Sequence, residues 1–181
     1  SLHILGNVDT RTGNIDFPGT VIISGTIKEG FSVKAGGNIY VSNIEGALVE
    51  AGKNLYVRRG ISGNYKSKII VGGNLITNFL EQATIFCKGN VIVSNAIMHS
   101  VVNAGENIVV LTGGKGLIVG GIVRAGKSVF AKIIGSKTAT VTTVEAGSDP
   151  EVFEKHKKVE QYIVALEKYY QSGRLDIKRL L

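Results

Sequence analysis

Along this chain, alternating apolar and polar residues are interrupted at recurring distances by one four-residue turn. It reads Ala35-Gly36-Gly37-Asn38, Ala51-Gly52-Lys53-Asn54, Val71-Gly72-Gly73-Asn74, Cys87-Lys88-Gly89-Asn90, Ala104-Gly105-Glu106-Asn107, Ala125-Gly126-Lys127-Ser128 and Ala146-Gly147-Ser148-Asp149. The last residues of these turns lie 16, 20, 16, 17, 21 and 21 positions apart. Alignment on the turn sorts its neighbours into columns. One residue after it stand Ile39, Leu55, Leu75, Val91, Ile108 and Val129; three after it stand Val41, Val57, Thr77, Val93, Val110 and Ala131. These are alternate positions on one face of a strand leaving the turn. Five before the last turn residue come Val33, Val49, Ile69, Ile85, Val102, Val123 and Val144, so a second strand enters each turn. Seven before it come Ala47, Ser67, Ala83, Ser100 and Gly121, small enough for a crowded corner. The variation in period falls outside these columns, in residues 58–66, 111–116 and 132–140, which are expected to bulge outward as loops.

Like columns at intervals of this length favour a coil over a sandwich. An antiparallel sandwich reverses its chain at hairpins and has no reason to repeat the same column chemistry. In a parallel coil each rung lies one strand spacing, about 4.8 Å, above the last, and like residues stack on like. Stacked asparagines can then hydrogen-bond along the axis, and Gly and Asn tolerate the left-handed angles of a sharp bend. The reading is an all-β solenoid: a right-handed parallel β-helix of about seven rungs over residues 1–149. The hand follows the preference of parallel crossovers, and the strict six-residue period of a left-handed hexapeptide coil is missing.

After Asp149 the pattern changes. Asp149 can cap a helix with Pro150 as its first residue and Glu151 and Glu154 in its first turns. Val152, His156, Val159, Ile163, Leu166 and Tyr170 follow at spacings of 4, 3, 4, 3 and 4, a heptad stripe. Residues 150–181 are therefore expected to form a C-terminal helical, coiled-coil-like segment. It either covers the coil or begins a coiled coil.

Composition fits this picture. Hydrophobics reach 44%, yet aromatics are 7%, Trp is absent and Gly occurs 24 times, as expected of β-branched layers with tight corners. No apolar run approaches the ~20 residues of a membrane span. A single cysteine, Cys87, rules out an internal disulfide framework and fits a reducing compartment.

Candidate chemistry is sparse. Residues 121–128, Gly-Ile-Val-Arg-Ala-Gly-Lys-Ser, match the Walker A pattern. A phosphate loop must launch a helix, whereas Val129-Phe130-Ala131 continues the strand columns, and Lys127 sits where Lys53 does in an ordinary turn. Cys87 occupies the column of Ala35, Ala51 and Ala104, so a buried, inert thiol is expected. His3, His99 and His156 have no partner at metal-ligand spacing; His99 shares a column with Gly46 and Gln82, an exposed corner. Polysaccharide-cleaving β-helices need clustered carboxylates, but before residue 145 the aspartates are Asp9 and Asp16 alone. No cofactor or metal is expected. Net charge is +7, and Arg58, Arg59, Lys66 and Lys68 form a basic cluster around one enlarged rung, a candidate patch for an anionic partner. Little aromatic interleaving beyond Tyr65 argues against nucleic acid.

Several motifs occur in order along residues 4–150: Thr12-Gly13-Asn14-Ile15 leading to Phe17-Pro18-Gly19, then Glu45-Gly46-Ala47, His99-Ser100, Gly114-Lys115-Gly116 with Ile118-Val119-Gly120-Gly121, Ile134-Gly135-Ser136 and Gly147-Ser148-Asp149-Pro150. In these the sequence resembles the flagellar assembly protein A (FapA) family of bacteria. The resemblance implies a right-handed parallel β-helix within a longer cytoplasmic protein, followed by helical coiled-coil sequence. It links the chain to flagellar assembly or its regulation, and it supplies no catalytic residues.

The function expected from these readings is a non-enzymatic scaffold that holds a protein partner or self-associates through the C-terminal helix or a face of the coil. The alternatives are an enzyme acting on carbohydrate or nucleotide, and a basic surface for an anionic polymer.

Overall fold

A computed structural model describes residues 1–137 and 140–147. Among them sixteen strands alternate with tight corners: β1 (Leu2–Ile4), β2 (Ile15–Phe17), β3 (Val21–Ile27), β4 (Ser32–Ala35), β5 (Ile39–Glu45), β6 (Leu48–Ala51), β7 (Leu55–Ser62), β8 (Lys68–Val71), β9 (Leu75–Glu81), β10 (Thr84–Cys87), β11 (Val91–Ala104), β12 (Asn107–Val110), β13 (Leu117–Ala125), β14 (Ser128–Phe130), β15 (Ile133–Ile134) and β16 (Thr142–Ala146). Every pairing between them is parallel, and each strand pairs with its counterparts in the turns before and after.

The chain winds a three-sided coil. The first face stacks Leu2, Val21, Ile39, Leu55, Leu75, Val91, Ile108 and Val129 in register. The third stacks Ile15, Val33, Val49, Ile69, Ile85, Val102, Val123 and Val144. Between them runs a second face on which Val8, Ile27, Ile44, Ile61, Leu80, Ile97, Ile118 and Ile134 lie over one another. The three columns meet in one continuous core, and most of their side chains are wholly buried. Stacking identical shapes keeps the interior dense without aromatic rings, since each β-branched residue meets its like one layer away.

Each column holds eight residues, so the coil has eight layers where the turn motif counts seven. Phe17-Pro18-Gly19-Thr20 makes the first turn without an asparagine: the Gly36 amide donates to the Phe17 carbonyl, and the Asn38 amide donates to Thr20 Oγ1 at 3.4 Å.

The expected loops also need correction. Residues 58–62 belong to β7, whose register shifts between Val57 and Ile61 as the chain bends from the first face to the second. Only the stretch after Ser62 leaves the sheet, with Tyr65 exposed at its tip. In residues 132–140, Ile133 and Ile134 form β15 on the second face. Residues 111–116 do form a loop. The helical segment expected over residues 150–181 lies outside the described residues.

Two devices set the corners. At the turn into the first face a ladder of side chains climbs the coil: Asn38 Oδ1 accepts the Asn54 amide at 3.0 Å, Asn54 Oδ1 that of Asn74 at 2.8 Å, Asn74 Oδ1 that of Asn90 at 2.8 Å, and Asn90 Oδ1 that of Asn107 at 3.2 Å. Ser128 closes the series by donating its hydroxyl to Asn107 Oδ1. At the corner between the second and third faces, Gly30, Gly46, Gln82, His99 and Gly120 all take positive φ, and the left-handed bend costs least where there is no Cβ.

Candidate interaction surface

Strand alternation that buries Ile39 and Val41 turns the residue between them outward. On the first face that outward column is itself apolar: Ile22, Tyr40, Tyr56, Ile76, Ile92, Val109 and Phe130, paired layer by layer. Solvent faces normally carry polar residues at such positions, and a continuous apolar strip is a mark of interaction. Tyr40 and Tyr56 stack with ring centres 4.7 Å apart and planes 4° from parallel. Tyr40 is 39% exposed, Ile76 38% and Phe130 59%.

Two residues further on stands a row of small or polar side chains, Ser24, Ser42, Arg58, Asn78 and Ser94. Between this row and the apolar ladder lies an open shallow groove lined by both. Arg58 leans along the row and donates from Nη2 to Ser42 Oγ at 3.2 Å.

Charge on this face has one dominant sign. Lys53 and Lys88 flank the ladder at the turns and Arg58 and Arg59 at the opposite edge, all exposed. Among the described residues, the one carboxylate in the turns into the first face and its outward ladder is Glu106, which pairs with Lys127 at 2.7 Å. The third face differs: its outward Lys34 and Glu50 pair with each other at 3.3 Å.

The four residues of the basic cluster are divided by the fold. Arg58 and Arg59 stand where the first face bends into the second. Lys66 lies beyond the second face, in the exposed turn at the next corner, bound to Glu29 together with Asn64. These two contacts, the Lys66 hydrogen bond foremost, hold the Glu29 carboxyl below its ordinary pKa. Lys68 is on the third face, with Nζ 5.9 Å from the centre of the Phe86 ring. The two arginines therefore join the first-face rim, and the two lysines do not.

Residues 121–128 run from β13 through a turn into β14, so no helix N-terminus faces a phosphate there. The main-chain donors are also committed: the Gly126 amide to the Ala104 carbonyl and the Lys127 amide to the Glu106 carbonyl. Cys87 is buried on the third face, stacked between Val71 and Ala104. Burial pushes its thiol up to about 11, and Sγ donates to the Gly73 carbonyl at 3.1 Å. His99 is exposed at its corner. Among the described residues there is no group of three or more His, Cys, Asp or Glu placed to hold a metal ion, and no helix long and apolar enough to cross a membrane.

The apolar ladder escaped sequence reasoning although its signal is there. Two residues after each turn asparagine comes a large apolar side chain, where simple alternation calls for a polar one.

The sequence model described as the Flagellar Assembly Protein A beta solenoid domain matches residues 1–180, which takes in the whole coil and continues past it. Neither a curated protein nor a solved structure matches the chain.

Proposed function

The chain belongs to the Flagellar Assembly Protein A β-solenoid family, whose name ties it to flagellar assembly, and we propose that within that setting it is a non-enzymatic scaffold whose first face docks a protein partner in the cytoplasm. The observation that carries this reading is the apolar ladder: seven outward side chains in consecutive layers, held in one line by main-chain hydrogen bonding on either side. A β-solenoid keeps such a line rigid, because each layer is fixed by its neighbours. Little ordering entropy is then lost when a partner settles on it. The competing enzymatic reading draws no support from residues 121–128, whose lysine and serine are engaged in the turn.

Site-specific photo-crosslinking in the native bacterium tests the proposal. A photoreactive residue at position 76 should give discrete protein adducts, and one at position 50 on the third face should not. Equal labelling from both positions, or none from either, removes the first face as the docking surface. Nucleotide hydrolysis by the purified chain that disappears in Lys127→Ala would instead establish the enzyme.

A further inference from the structure

We infer that the partner element received by the first face is an acidic amphipathic α-helix lying along the coil axis; this rests on the docking reading above and specifies its chemistry. Three observations on that face converge. The first concerns the main chain. Amides and carbonyls of the first-face strands between β1 and β14 are spent on the layers above and below, as where the Leu55 amide donates to the Asn74 carbonyl and the Leu75 amide to the Asn90 carbonyl, each at 2.9 Å. An added strand finds no ladder to join, whereas a helix satisfies its own backbone and needs only side-chain complementarity.

The second is spacing. Ladder residues recur at about 4.8 Å, the distance between paired strands, and a helix advances about 5.4 Å per turn. Over four layers the two drift apart by about 2 Å, less than one side-chain width, so one apolar residue per helical turn can meet one ladder position. The groove runs between Ile76 and Asn78, and between Tyr56 and Arg58, side chains two strand positions and so about 7 Å apart, which suits the narrow stripe of an amphipathic helix.

The third is charge. Lys53, Lys88 and Arg58 stand on both sides of the ladder, and among the described residues none of them is ion-paired with a carboxylate. Glutamates flanking the helix stripe would answer them. A second copy would not: its own first face is basic, and antiparallel pairing about Ile76, the middle of the ladder, sets Lys53 of each copy against Lys88 of the other. A lipid surface is the competing occupant, and the vesicle arm of the test below separates it from the helix.

The test uses the whole chain and a fluorescent peptide of about 18 residues, five helical turns, with a leucine stripe flanked by glutamates. Fluorescence anisotropy should show saturable binding that weakens about tenfold or more in Arg58→Glu and in Ile76→Asp, and again between about 50 and 300 mM salt. Circular dichroism of both variants should match the parent. The same peptide with lysine flanks, or with its stripe shuffled, should not bind. Binding that ignores both substitutions, equal binding of the shuffled peptide, or no binding at about 1 mM overturns the inference. Capture of phosphatidylglycerol vesicles, lost in the same variants, would assign lipid instead. A discrete crosslink from position 76 to a basic or extended segment would sink the helix while leaving the docking surface standing.

Discussion

Cys87 shows how much one column decides. Its neighbours above and below are Ala104 and Val71, and in that apolar stack the thiolate is disfavoured, which raises the thiol pKa to about 11. An unfolded cysteine ionises near 8.5. From about pH 8.5 upward, then, the unfolded chain releases a proton that the folded chain keeps. Stability is full below that pH and falls as pH rises towards 11, by about 3 kcal/mol across the window. Denaturant midpoints measured between pH 8 and 11 should decline for the parent and decline less for Cys87→Ala; identical slopes would show that the thiol is not buried. Cys87 was legible in the sequence because its column is fixed by the turn. Tyr65 was not, because it lies in the stretch that breaks the register. Asn64 and Tyr65 take φ of 50° and 57° in succession, and a tyrosine side chain pays a steric penalty there of about 1–2 kcal/mol. Tyr65→Gly should stabilise the fold and raise the unfolding midpoint, by about 0.5–1 kcal/mol in unfolding free energy after the added freedom of the unfolded chain is subtracted. A lower midpoint would mean that the exposed ring contributes contacts the fold does not reveal.

At the scale of the corner, the asparagine ladder and the glycines do different work. Asn74 Oδ1 accepts both the main-chain amide of Asn90 at 2.8 Å and its side-chain amide at 3.0 Å. Asn38 Oδ1 accepts only the Asn54 amide. Asn74→Ala therefore orphans two donors and should cost about 2 kcal/mol, against about 1 kcal/mol for Asn38→Ala; urea unfolding of the pair checks the order. The segment at residues 121–128 gives a sharper contrast. Gly121 sits at φ +83°, and a Cβ there would meet the Ser100 carbonyl oxygen at 2.2 Å, so Gly121→Ala should destabilise by about 2–4 kcal/mol. Lys127 makes an exposed ion pair, and Lys127→Ala should change stability by less than about 1 kcal/mol. A phosphate loop would invert the emphasis, with Lys127 decisive for ligand binding. The first and third faces could be read from the sequence because they abut the turn. The second face was missed: Ile44, Leu80, Ile97 and Ile118 each lie ten residues before the following turn's end, but the insertion after Ser62 moves Ile61 to thirteen and hides the column. The eighth layer was missed because Thr20 replaces the asparagine whose recurrence defined the count.

At the scale of the whole coil, strand pairing among the described residues runs only between successive layers, so stability is a sum of layer terms and interfaces between neighbours. Layers in the middle are held from both sides. Leu75, wholly buried, is clasped by Leu55 below and Val91 above, whereas Leu2 is half-buried and meets Val21 on one side only. Amide hydrogen exchange should therefore be slowest in β7, β9 and β11 and faster in β1. This gradient bears on function, because Tyr40, Tyr56 and Ile76 stand in the protected middle, where the docking line needs least ordering on binding. Leu75→Ala should cost about 3–5 kcal/mol through the cavity it leaves and speed exchange in β7 and β11 alike, since both lean on the same layer. Leu2→Ala should cost about 1–2 kcal/mol and leave exchange at Leu55 and Leu75 unchanged. If Leu2→Ala accelerates exchange equally in every layer, the coil opens as one cooperative unit and the layer-by-layer description fails. If protection at Leu75 is instead no greater than at Leu2, the middle of the coil is not the rigid platform that the docking surface requires.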